Sequence, residues 1–251
     1  THTPVGTPTT AVVEVGIRSD GLTDFTVSSI TYGGTAMTFV RRDFTTLVQS
    51  SEVWLINNPA AGAQTVAVTL SAAAEGASIA VTVTGSATSG QPANNAGATG
   101  DSTAPTVNVT SATGRLVLGF VQSERTNTDA QITPGAGQTQ RASIDGPTLN
   151  RPRMEATDEA GAATVTTSWT LTSDQGWAAQ GVDLSEPGAA AGFAEREDEP
   201  FEDESVPPWI LRQRGALGAM LFAANPVTGR RGMLGAAGAA LADLLRKRWR
   251  S

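Results

Sequence analysis

Val27-Ser-Ser-Ile30-Thr-Tyr32-Gly33-Gly34-Thr-Ala-Met37-Thr-Phe39 decides how this chain is read. Val27, Ser29 and Thr31 alternate with Ser28, Ile30 and Tyr32, the period-two pattern of a strand with two unlike faces. Gly33-Gly34 then supplies two residues without a Cβ, free to take the positive φ that a two-residue hairpin turn requires. The stretch predicts a hairpin whose second strand ends at Phe39-Val40. Two further strands are expected downstream, residues 52–56, closed by Asn57-Asn-Pro-Ala60, and residues 64–70. Together they read as one antiparallel sheet with one buried face.

Upstream, Ala11-Val-Val-Glu-Val15-Gly-Ile17 reads as a first strand packed on both faces near one end. The polar run 45–51 is expected to lead into the Trp54 strand, and residues 78–83 form another short strand after a small-residue break at 72–76. Residues 85–104 are almost wholly Gly, Ser, Thr, Ala, Asn and Pro, so they read as a long surface loop or a linker. The second half repeats the grammar of the first. Residues 105–110 alternate, and Arg115-Leu-Val-Leu-Gly-Phe-Val121 is a continuous apolar run suited to a central strand. Residues 123–130 read as a loop and 133–137 as a break. Weak strands are expected at 138–142 and 151–156, a strong one at 163–172, and a closing one at 176–184. About ten strands with turn signals every 8–12 residues or so predict an all-β, antiparallel β-sandwich or jelly roll over residues 1–187. Its expected core includes Val66, Val68, Leu116, Leu118, Phe120 and Trp169. Trp169 and Trp177 could stack on sugar rings, but each sits in a strand among apolar neighbours, so core packing is the better reading.

Charge separates the chain into parts. The formal net charge of −7 divides into −8 over residues 1–192, −6 over 193–208 and +7 over 209–251. An acidic body repels phosphates at long range, which disfavours nucleic acid as a partner. With no cysteine there are no disulfides or thiolate metal sites, and the compartment stays undetermined. The opening Thr1-His-Thr-Pro4 shows no charged-then-apolar export signal, which leaves a trimmed first residue and a missing leader both open.

Chemistry is sparse. The sole histidine, His2, stands beside Thr1 and is expected to be a mobile side chain, a poor general base because a base needs rigid orientation. Glu124, Asp129, Glu155, Asp158 and Glu159 have the chemistry for glycoside hydrolysis, but sequence spacing does not show that any two converge, and solvated loop carboxylates are the expectation on an acidic body. Asp20, Asp101 and Asp145 sit in turn-like stretches without the spacing of a calcium loop. Gly33-Gly34 and Gly135-Ala-Gly137 lack the strand-to-helix setting of a phosphate loop. No catalytic residue, cofactor or metal is expected, and the chain reads as non-enzymatic.

Thr3-Pro-Val-Gly-Thr-Pro8, Val27 to Gly34 with Ala36-Met-Thr38, Val53-Trp-Leu55 with Asn58-Pro59, and Gln64-Thr-Val66 carry a resemblance. So do Gly135-Ala-Gly-Gln-Thr139, Thr167-Ser-Trp-Thr170 and Trp177-Ala-Ala179. Over residues 3–185 the chain resembles a β-sandwich module of tailed-phage virion proteins, seen also in bacterial surface proteins. These residues are turns and core positions, so the resemblance implies a structural or binding role on a particle or cell surface and no catalytic assignment. It implies a virion protein, either capsid decoration or a tail or fibre component. The alternative is a carbohydrate-binding or membrane-associated module of the bacterial surface, with a glycan as ligand.

After Leu184 the composition breaks. Residues 188–208 read as a flexible acidic linker, and 209–251 as a basic amphipathic arm, extended and partly helical. In the last segment Leu234, Ala237, Leu241, Leu244, Leu245 and Trp249 fall on one side at helical spacing, with Asp243, Arg246, Lys247 and Arg250 on the other. The apolar stretches are far shorter than the roughly 20 residues a membrane-spanning helix needs, which disfavours a membrane role. An interfacial helix on anionic lipid and packing onto the arm's own β body stay open. The favoured expectation is docking on other virion or surface subunits, further copies of this chain included. Trp209, Leu217, Phe222, Leu234, Leu241, Leu244, Leu245 and Trp249 would be the contact residues.

Overall fold

A computed structural model describes residues 1–18, 25–45, 49–124, 131–145 and 152–187. The described chain is all-β. Its first half contains β1 (Thr10–Arg18), β2 (Val27–Tyr32), β3 (Thr35–Ala36), β4 (Thr38–Thr45), β5 (Gln49–Asn57), β6 (Val66–Leu70) and β7 (Glu75–Val83). The second contains β8 (Asn94–Ser102), β9 (Thr106–Thr110), β10 (Leu116–Glu124), β11 (Ile132–Pro134), β12 (Thr139–Ile144), β13 (Pro152–Ala160), β14 (Thr164–Leu171) and β15 (Gln175–Leu184). All pairings are antiparallel and make four sheets, ordered β4-β5-β1-β7, β12-β13-β10-β15-β8, β3-β2-β6 and β11-β14-β9.

The run of β-branched residues in β1 explains its place. Ala11, Val13, Val15 and Ile17 pack with Val27, Ile30 and Tyr32 of the small β3-β2-β6 sheet. Val12, on the opposite face, joins Leu55, Ile79, Leu118, Phe120, Met154 and Val182 in a core shared by the two large sheets. A third cluster, with Val107, Val121, Trp169, Leu171, Trp177 and Ala179, lies between the five-stranded sheet and β9-β14-β11. Leu118, Phe120 and Trp169 are buried as expected, whereas Val66, Val68 and Leu116 are half-buried at the margins.

The predicted turn forms, with φ of 57° at Gly33, 82° at Gly34 and Tyr32 opposite Thr35. Its second arm differs from expectation. Only Thr35–Ala36 pair with β2; at buried Met37, whose N–H donates to Ile30 O (2.9 Å), the chain changes sheets. It continues as β4 through Arg41-Arg42-Asp43 and pairs with β5. The hairpin and the Trp54 strand therefore belong to different sheets. Four expected breaks are also partly strand: Gln49–Ser51 opens β5, Glu75-Gly76 opens β7, Ser123-Glu124 ends β10, and Thr133-Pro134 lies in β11.

The largest correction is to 85–104. Asn94–Ser102 is the edge strand β8, in full register with β15. Its glycines mimic a linker but are there for space. A Cβ on Gly97 would collide with the Arg41 and Asp43 side chains, and one on Gly100 would enter the Trp177 ring.

The two halves are built on one plan. β4-β5-β1-β7 matches β12-β13-β10-β15 strand for strand, and β2 and β6 match β11 and β14. The register agrees down to a bulge: the shift between Phe39 and Arg41 in β4 recurs between Gln140 and Ala142 in β12. Thr26 N–H donates to Ser71 Oγ (3.0 Å), as Gln131 N–H does to Thr172 Oγ1 (3.1 Å). The large sheets pack reciprocally, β4 against β15 and β12 against β7, β5 against β10 and β13 against β1. Gly16 and Gln122 hold equivalent positions in β1 and β10 and meet across this interface, where a Cβ on Gly16 would lie 2.8 Å from Gln122 Oε1.

Candidate functional site

Buried polar groups gather in several places, and two of them hold a carboxyl that burial pushes far up. The first is the seam between the halves. Glu14 interrupts the apolar run of β1 on the face turned to the second half and is wholly buried. Ser51 Oγ lies 2.8 Å from Glu14 Oε1 and 3.0 Å from Gln180 Oε1, and its single proton can serve only one of them. Burial pushes the Glu14 carboxyl up to about 8, against a smaller opposing effect of Ser51. A protonated Glu14 resolves the conflict: it donates to Ser51, and Ser51 donates to Gln180. Gln180 Nε2 in turn donates to Ser51 O (2.9 Å) and Asp43 Oδ2 (2.8 Å). Arg41 closes the chain on Asp43 through Nε (2.7 Å) and Nη2 (2.8 Å) and reaches Asn95 Oδ1 through Nη1 (2.9 Å). Donors thus run from Glu14 through Ser51 and Gln180 to Asp43, on which Arg41 donates from the opposite side.

The second place is a cavity of about 200 Å³ on the outward face of β12-β13, beside Gln131. Gln140, Ser143, Asp145, Arg153 and Glu155 supply its polar lining. Glu155 is 1% exposed; its Oε2 accepts from Gln140 Nε2 at 2.9 Å, and its Oε1 has no hydrogen-bond partner. Burial raises its carboxyl to about 7; Gln140 opposes the shift, with a weaker effect of the Trp169 indole, which forms no well-made hydrogen bond. Arg153, 6% exposed, gives Nε (3.1 Å) and Nη2 (2.7 Å) to Asp145 Oδ1, while its Nη1 has no partner. One buried acceptor and one buried donor thus lack hydrogen-bond partners on two residues that line one cavity.

Of the other carboxylates singled out in the sequence, Asp158 pairs with Arg141 at 2.7 Å, and burial raises Glu159. Asp101 lies on β8, exposed. Asp20, Asp129 and the Glu124 side chain fall outside the described residues. Among the described residues no three His, Asp or Glu side chains gather as a metal site. His2 departs from expectation. It forms a bridge with Gln64, its Nε2 lies 3.2 Å from Thr82 Oγ1, and its ring meets Tyr32 edge-on at 6.1 Å. The N-terminal residues are thereby fastened to β7, and burial, then the adjacent terminal ammonium, lowers the His2 pKa.

The predicted contact residues Trp209, Leu217, Phe222, Leu234, Leu241, Leu244, Leu245 and Trp249 all lie outside the described residues, as do the linker and arm. Trp169 and Trp177 are buried, and Trp177 Nε1 donates to Ser102 Oγ at 3.0 Å. Sequence reasoning missed Glu14, Gln140 and Arg153 as site residues. Glu14 carried a signal, a lone charge inside Val-Val-Glu-Val; the other two did not, because strand register alone brings them to the cavity. Compared with protein families, curated proteins and solved structures, the chain matches none.

Proposed function

We propose that this is a non-enzymatic structural protein of a virion, a capsid decoration protein or a tail or fibre component. Its β body is read as a sandwich or jelly roll put on display, and residues 209–251 as the arm that assembles it. The observation behind this reading is the construction of the body. Two like halves turn their large sheets on each other and bury Glu14, Ser51 and Gln180 at the join, which suits a rigid unit that is carried. Attachment then falls to the oppositely charged tail. Deleting residues 193–251 is expected to leave the body folded and abolish sedimentation with purified particles. Because apolar docking outlasts salt whereas exposed ion pairs contribute only about 0–1 kcal/mol each, full-length protein should stay attached at high salt. Normal attachment of the truncated protein would sink this reading.

One observation favours a carbohydrate-binding surface module as the second reading. Phe39, 48% exposed on the edge strand β4, meets Trp54 edge-on at 5.5 Å, and such surface aromatics can hold a sugar ring. A glycan array with wild type and Phe39→Ala separates the two readings.

A further inference from the structure

The repeated plan allows each half to be read against the other, and at one position they differ in a telling way. Glu52 in β5 and Glu155 in β13 are equivalent: Glu52 pairs in register with Arg42, and Glu155 with Ser143, each three residues beyond the shared bulge site. In the first half Arg42 Nε lies 3.6 Å from Glu52 Oε1, and the same oxygen accepts from Val27 N–H at 2.9 Å. Trp54 Nε1 donates to Glu52 Oε2 at 3.1 Å, so both oxygens of this buried carboxylate are engaged. The Arg42 guanidinium also donates Nη2 to Phe25 O at 3.3 Å and lies 5.1 Å from the centre of the Phe44 ring.

The second half has exchanged these residues. Where β4 has Arg42, β12 has Ser143; where β5 has Ser50, β13 has Arg153; and Phe44 is replaced by Asp145. Arg153 is turned to Asp145 by two hydrogen bonds. Glu155 has therefore lost the cation its counterpart has, and the space beside short Ser143 belongs to the cavity of about 200 Å³. That volume suits a single long side chain or a ligand of similar size. We propose that this cavity is a binding site for a guanidinium-bearing ligand of the size of arginine, which takes in the second half the place of Arg42 in the first. The guanidinium would donate to Glu155 Oε1, and an oxygen at the other end of the ligand would accept from Arg153 Nη1. Both atoms are buried and otherwise unpaired, so each costs free energy until a partner arrives. A planar donor fork facing a carboxylate is also the geometry that separates guanidinium from ammonium.

The test is calorimetric titration of the full-length protein with L-arginine, agmatine and L-citrulline, with the Trp169 indole resonance followed by NMR. Arginine is expected to bind, and agmatine, lacking the carboxylate, to bind more weakly. Citrulline, the neutral isostere, should bind at least roughly tenfold more weakly than arginine, because it offers Glu155 no charge-assisted pair. Glu155→Gln keeps the shape of the site and should abolish arginine binding. Ser143→Arg should also abolish it while raising the melting temperature, since it restores the internal guanidinium. Absence of arginine binding to wild type, equal binding of citrulline, or unchanged binding to Glu155→Gln would each overturn the proposal. Should Ser143→Arg not fold, citrulline and Glu155→Gln still decide.

Discussion

Trp169→Ala is expected to lower the stability of the protein by roughly 3–5 kcal/mol, read as a shift of the urea midpoint at unchanged slope. The ring is 2% exposed and packs with Val107, Val121, Leu171, Trp177 and Ala179 between two sheets. Truncation removes an indole from a space that β14 and β10 cannot close, because β14 is held in register on both sides, by β9 and by β11. Both the lost transfer energy and the residual cavity act in the same direction. Thr170→Ala, an exposed position on the same strand, serves as control and should change stability by no more than about 0.5 kcal/mol. A loss below about 1 kcal/mol for Trp169→Ala would place the ring outside the core and revive it as a sugar platform.

What was legible in the sequence followed from local rules. Gly33-Gly34 had to be a turn because two successive positive φ values exclude most other residues, and residues 115–121 had to be central because their apolar run has no solvent face. The misreadings came from side chains that act at a distance. Residues 94–102 looked like a linker because glycine is punctuation in isolation, yet Gly97 and Gly100 are small to admit Arg41, Asp43 and Trp177 from other strands. The passage of the chain between sheets at Met37 left no mark, since Thr-Ala-Met-Thr-Phe alternates equally well on either sheet. The doubled plan was audible only as repeated grammar. Its proof is a shared bulge and a shared register, and the cavity beside Glu155 is visible only once Arg42 and Ser143 are known to be counterparts.

Glu14→Gln is expected to remove much of the pH dependence of stability between about pH 5 and 9 and to stabilise the protein at the alkaline end. Glu14 titrates near 4.5 when unfolded, and burial raises it to about 8 in the folded chain. Between those values the folded state keeps a proton that the unfolded state has lost, so stability is fully present below the lower value and falls as pH rises through the upper one. A shift of this size corresponds to at most several kcal/mol, on the order of 1.4 kcal/mol per pH unit over the window. Glu155, raised to about 7, and Glu159, also raised, contribute in the same direction. His2 opposes them, because a lowered histidine pKa makes stability rise as pH passes its titration range, but it is only partly buried. The side-chain amide that Glu14→Gln introduces would keep a donor toward Ser51, so the chain through Gln180 to Asp43 and Arg41 survives while the titrating proton does not. Urea midpoints at pH 5, 7 and 9 for wild type, Glu14→Gln and the Glu14→Gln/Glu155→Gln double variant make the measurement. Wild type should weaken steadily with pH, the single variant less, and the double variant least. If Glu14→Gln retains the wild-type slope, Glu14 is ionised in the folded protein, and the proton order drawn for the seam is reversed at its first link.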